Sequence, residues 1–92
     1  MIRLNVFYLI ESDDNRAPFI EKATELVKLS REEDGCVAYD IFSSLTEKKH
    51  LMICETWRSN EDLEKHASSE HFKRIVPQLH ELAKSKLEKF NF

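Results

Sequence analysis

The side chains able to do chemistry in this chain are few, and they stand in segments otherwise suited to burial. Asn5 interrupts the apolar run Ile2-Arg3-Leu4-Asn5-Val6-Phe7-Tyr8-Leu9-Ile10. Glu55 and Trp57 are two residues apart in the run 50–58, so on a strand they share a face. Tyr39 and Phe42 lie in the β-rich run 36–44, and His66 and His71 flank Ala67-Ser68-Ser69-Glu70. A desolvated carboxylate titrates high and can act as a base. An imidazole exchanges protons near neutral pH. An amide can hold a ligand oxygen, and aromatic rings can line an apolar cleft. Each residue also has a structural role open to it. Asn5 can bond a neighbour or sit at a tolerated edge position, and Glu55 can pair with Arg3 or Lys73. Trp57, Tyr39 and Phe42 can simply pack, and one histidine can be a solvated cap residue.

Much other chemistry is excluded. The single glycine, Gly35, cannot build a GxGxxG turn or a phosphate-binding loop, so no flavin, nicotinamide or nucleoside triphosphate site is expected. No GxSxG elbow is present. His66 and His71 are five apart across an expected helix break, unlike an i, i+4 ligand pair, and His50 and His80 lie elsewhere; no metal site is expected. Cys36 and Cys54 match no zinc spacing. A net charge of −3 argues against a phosphate-binding partner, and so against nucleic acid. The apolar opening carries Arg3 and Asn5 and runs into Glu11-Ser12-Asp13-Asp14, so neither a secretory leader nor a membrane span is expected. The expected location is cytoplasmic.

The elements that must position these residues follow from pattern. Ninety-two residues suit one domain, 1–92. Residues 2–10 read as a strand with Ile2, Leu4, Val6, Tyr8 and Ile10 on one face and Arg3, Asn5, Phe7 and Leu9 on the other. A helix is predicted over about 15–33, capped by Asp14 or Asn15, with Pro18 in its first turn and Phe19, Ala23, Leu26, Val27 and Ser30 as its inward stripe. Gly35 suits a left-handed C-cap. Strands over 36–44 and 50–58 form a hairpin around Thr46-Glu47-Lys48-Lys49, whose register keeps the two thiols apart. Ser59-Asn60-Glu61-Asp62 opens a short helix, 60–67. Ser68-Ser69 caps a further helix from about 70, which Pro77 should kink near 73–76. Residues 86–92 suit a fourth, edge strand. This order is that of the α+β ferredoxin-like split βαβ fold: a four-stranded antiparallel sheet with its helices on one face.

Such a sheet should be polar on its open face. Here Val6, Phe7, Tyr8, Leu9 and Ile10 fill both faces of the first strand, and Leu51, Met52, Ile53 and Cys54 both faces of the third. Helices cover one face only. The apolar remainder exceeds what a lone monomer tolerates, and a second copy of the same sheet is the expected cover.

Gly35-Cys36, Tyr39, Glu55-x-Trp57, His66 and Ser69-x-His71-Phe72, in this order and spacing over nearly the whole chain, resemble the antibiotic biosynthesis monooxygenase (ABM) domain family. The resemblance implies a dimeric α+β barrel, in which two sheets pack together, and a small hydrophobic pocket between sheet and helices of each subunit. It further implies oxidation of quinols or phenols by molecular oxygen with no cofactor, because an electron-rich phenolate can itself reduce oxygen. Asn5 and His66 would then position the oxyanion, and His71 or Glu55 would move protons. Trp57, Tyr39 and Phe42 would line the pocket, and the partners would be a small aromatic substrate, oxygen and a second subunit. Haem-degrading relatives use an asparagine, a tryptophan and a histidine; Asn5 matches the first, but His66 and Val76 stand at the other two positions, so the haem ligand is missing. Two alternatives share the same pocket: an isomerase or lyase of a small oxygenated metabolite, and a non-catalytic ligand-binding dimer.

Overall fold

The computed structural model describes residues 1–92. Strand β1 (Ile2–Leu9) leads through one 3-10 turn (Asp13–Asn15) into helix α1 (Arg16–Arg31). Strands β2 (Cys36–Ser43) and β3 (His50–Trp57) form the hairpin, followed by α2 (Asn60–Ala67), α3 (Glu70–Leu82) and β4 (Lys84–Asn91). The sheet order is β2-β3-β1-β4, antiparallel throughout, which is the expected α+β ferredoxin-like arrangement. No helix is long and apolar enough to cross a membrane.

The core lies where the two periodicities meet. From the sheet come Ile2, Leu4 and Tyr8 of β1 and Leu51, Ile53 and Trp57 of β3; from the helices come Phe19, Ala23, Leu26 and Val27 of α1 and Ile75 and Leu79 of α3. Each large side chain buried there stabilises the fold by about 1.5–3 kcal/mol relative to exposure. Ser59 caps α2 by accepting from Asp62 N–H at 3.2 Å, and Ser69 caps α3 by accepting from Phe72 N–H at 3.2 Å.

Local details differ from expectation. Neither Asp14 nor Asn15 caps α1 through its side chain; the Asn15 amide instead donates to the Leu82 carbonyl at 3.3 Å, tying the start of α1 to the end of α3. Helix α3 runs through Pro77 as one element. Strand β4 begins two residues early, at Lys84. Gly35 has no positive φ, so its reason is steric. A Cβ built there would lie 2.1 Å from Cγ of Asp62, whose carboxylate accepts from Arg58 and Ser59 at 3.0 and 2.9 Å. Only a residue without a side chain lets the turn pass that close.

The sheet's second face is open. Phe42, Met52 and Phe7 follow one another across β2, β3 and β1, with Phe42 and Phe7 50% and 40% exposed. Leu9 and Phe90 add exposed apolar area to the same side. A β-bulge at Val37 shifts the β2–β3 register by one residue; Cys36 pairs with Trp57 and Cys54 with Asp40, and both thiols are free.

Candidate active site

Between sheet and helices lies a cavity of about 240 Å³, walled mainly by side chains such as Leu4, Val6, Ile53, Leu63 and Val76. A dry cavity of about 150 Å³ is enough for benzene, so this one has room for a substituted ring. Its outer end reaches the surface between α3 and β4, where His80 and Ser85 are exposed and Leu87 is 58% exposed. Its inner end holds Glu55, Tyr39 and His66, all buried.

Strand register places the first two. Leu4, Glu55 and Tyr39 are aligned across β1, β3 and β2, so all three point toward the helices. Glu55 Oε1 accepts the indole N–H of Trp57 at 2.9 Å. Burial pushes the Glu55 carboxyl up to about 7, and hydrogen bonds from Trp57 and Tyr39 restrain the rise. Burial, with the nearby Glu55 charge, likewise pushes the Tyr39 phenol well above its ordinary range. Neither expected cation partner serves Glu55: Arg3 lies on the opposite face, where its Nε donates to Thr56 Oγ1 at 2.7 Å, and Lys73 is exposed on α3.

His66 comes from the last turn of α2 and is 1% exposed. Its ring lies 4.4 Å from that of Trp57 and 5.1 Å from that of Phe72, between centroids. Its Nδ1 meets Glu33 Oε2 at 2.6 Å. Its Nε2 is buried without a hydrogen-bond partner, 4.0 Å from Glu55 Oε1. Burial lowers the His66 pKa, and the neighbouring Glu33 carboxylate offsets part of that. The imidazole is therefore neutral at neutral pH, with a free nitrogen at the inner end of an apolar cavity.

His71 joins this group from the first turn of α3, its Nε2 2.8 Å from the same Glu33 oxygen. The turn between α2 and α3 makes the meeting possible: Ser69 donates to the His66 carbonyl at 2.6 Å while capping α3. Spacing in sequence argued against a shared metal site for the two histidines, yet their ligating atoms and that of Glu33 fall within 4.8 Å of one another. The donor types are those of a zinc site. Both nitrogens, however, stand at hydrogen-bonding distance from one oxygen, and hydrogen bonds are what this geometry makes.

Of the residues singled out in the sequence, Glu55, Trp57, Tyr39, His66 and His71 are brought together. Asn5 and Phe42 are not. Strand alternation turns Asn5 to the open face, beside Cys54 and Glu88 on the neighbouring strands, where its Oδ1 is buried without a partner. Phe42 projects from the same open face. Neither lines the cavity, which corrects the expectation for both. Glu33 was missed. It lies in an acidic turn, Glu32-Glu33-Asp34, where nothing in the sequence sets it apart from a solvated charge.

The family profile described as antibiotic biosynthesis monooxygenase matches residues 1–78. YcnE of Bacillus subtilis is 28% identical over 81 residues, which are 88% of this chain and 85% of YcnE. A crystal structure of a conserved protein from Bacteroides thetaiotaomicron is 48% identical, with a TM-score of 0.95 over 99% of this chain and 96% of that one. The cofactor-independent oxygenase SnoaB of Streptomyces nogalater shares the fold, at 11% identity and a TM-score of 0.87, over 99% of this chain and 91% of its own.

Proposed function

This chain belongs to the antibiotic biosynthesis monooxygenase family, and we propose that it is a cofactor-independent monooxygenase of a small hydroxylated aromatic or quinol. The carrying observation is the buried, unpartnered Nε2 of His66 at the inner end of an apolar cavity. A phenol entering hydroxyl-first from the β4 side sets its hydroxyl against that nitrogen. His66 takes the proton, and the electron-rich phenolate reduces oxygen. One oxygen atom enters the ring carbon skeleton; the other leaves as water with two hydrogens of the substrate. Dry walls strengthen every charge interaction along this path. Glu55, titrating near 7, is placed to give or take the second proton. Trp57 holds Glu55, and Tyr39 shares the cavity wall. SnoaB, described as a cofactor-independent oxygenase, supports this chemistry for the fold.

The open sheet face supports a homodimer within the same proposal. Phe7, Leu9, Phe42 and Phe90 expose apolar surface there, and burial against a second copy removes it from water.

The test is oxygen uptake with a panel of quinols and polycyclic phenols. His66→Ala should lose about 10²–10⁴-fold in kcat, the usual worth of a general acid–base group. Turnover without oxygen consumption would replace the proposal by an isomerase or lyase. Thermal stabilisation by phenols without any product would replace it by a binding protein.

A further inference from the structure

We propose that Glu33 and His71 form a clamp that locks His66 in one tautomer, its ring hydrogen on Nδ1 and its Nε2 lone pair turned to the cavity. Both are positioning residues: neither lines the cavity. Two carboxylates face His66. Glu33 Oε2 is 2.6 Å from Nδ1, and Glu55 Oε1 is 4.0 Å from Nε2. A neutral imidazole has one N–H, and an ionised carboxylate only accepts. With the hydrogen on Nε2, the Nδ1 lone pair would confront the Glu33 oxygen at that short distance, acceptor against acceptor. With it on Nδ1, the contact is a strong charge-assisted bond, and Nε2 is left as a base.

His71 completes the device. Its Nε2–H donates to the same oxygen at 2.8 Å, from a different helix. Glu33 stands in a turn with its side chain 18% exposed, so without this second donor it is free to swing toward water. The clamp thus draws on the turn after α1, on α2 and on α3, with Ser69 holding the helix junction. When Nε2 receives a substrate proton, the imidazolium keeps its Nδ1 hydrogen on Glu33. The carboxylate balances the new charge until the proton returns to the departing oxygen as water forms.

This role rests on the proposed function, but the tautomer can be read without any substrate. Histidine-labelled protein near pH 8 should show His66 protonated at Nδ1 and bare at Nε2 by nitrogen NMR. In Glu33→Gln the hydrogen should shift toward Nε2 and Glu55, and the oxygen-uptake kcat should fall while KM holds. The titratable groups facing His66 are Glu33, Tyr39 of β2, Glu55 of β3 and His71 of α3. Glu33 raises the His66 pKa and His71 lowers it. Glu33→Gln should therefore move the His66 titration down, whereas His71→Gln, whose longer amide keeps a donor on Glu33 but carries no charge, should move it up. Two variants with opposite shifts are beyond a merely structural effect. A wild-type His66 protonated at Nε2, or shifts of the same sign in both variants, would overturn the clamp. So would one equivalent of Zn²⁺ bound by the wild type and lost in His71→Gln, since the trio would then be a metal site. If no phenol is oxidised but the tautomer and the opposed shifts are found, the clamp stands and the monooxygenase reading falls.

Discussion

Replacing Glu55 by glutamine should make the protein more stable at alkaline pH, and the size of the effect follows from burial. Glu55 is 4% exposed and has no cation beside it, and its carboxyl titrates at about 7 instead of 4.5. Between those two values the unfolded chain sheds a proton that the folded chain keeps. The folded state is thus favoured at acid pH, and this advantage is lost as pH rises from about 4.5 to about 7. Above that both states are ionised, and the accumulated cost is about 3 kcal/mol, at about 1.36 kcal/mol per pH unit between the two titrations. Glutamine keeps the shape and still accepts from Trp57, but carries no charge. For a domain of this size about 1 kcal/mol is worth roughly 4–8 °C. Glu55→Gln should then melt on the order of 10–20 °C above wild type near pH 8.5 and close to it near pH 4.5. The assay is parallel thermal melts of the two proteins across that range, at one concentration because self-association shifts Tm. His66 acts in the opposite sense: its lowered pKa gives a contribution present above its unfolded value of 6.5 and lost as pH falls from there through the lower folded value. The difference between the two proteins, rather than either curve alone, isolates Glu55. Melting curves that stay parallel from pH 4.5 to 8.5 would refute the desolvation argument.

Two other substitutions probe the frame around the site. Gly35→Ala forces a methyl against Asp62 and should loosen the Arg58–Asp62–Ser59 contacts, costing about 1–3 kcal/mol in urea denaturation; an unchanged midpoint would show that the turn has room to spare. Phe42→Asp places a charge on the open sheet face and should yield a folded monomer in sedimentation, where wild type should sediment as the proposed dimer; a dimer unaffected by this change would move the interface elsewhere.

Element order and caps were legible because they are local. Ser59 and Ser69 announce helices α2 and α3 within four residues of sequence, and the doubly apolar runs of β1 and β3 announce a face needing cover. The site was legible only where a face could be counted. Glu55 and Trp57 keep strand parity and do share the helix side, whereas the same parity applied to Asn5 puts it on the open side with Arg3, Phe7 and Leu9. Resemblance to a family had suggested otherwise, and alternation along the strand decides the matter. Glu33 was invisible for a different reason. Its partners lie 33 and 38 residues away, and its place depends on how the α2–α3 turn folds back, which no periodicity reports. Gly35 was correctly marked as special but for the wrong cause, because backbone conformation can be guessed from neighbours and a close approach by Asp62 cannot.

The sheet order has a consequence for how this protein is made. β1 is synthesised first, yet it sits between β3 and β4 and pairs Ile2 with both Trp57 and Asn91. The β2–β3 hairpin closes over a short loop and can form within about 1–10 μs of being released. β1 has no such local partner. On the ribosome it must wait, with apolar side chains on both faces and both edges bare, until β3 has emerged, and its other edge stays bare until β4 follows. Its pairing with β4 is the longest-range closure in the fold and should be the last to be secured. The strand that supplies Leu4, Val6 and Tyr8 to the cavity wall is therefore also the segment most exposed to aggregation during translation, and the one a nascent-chain chaperone would hold.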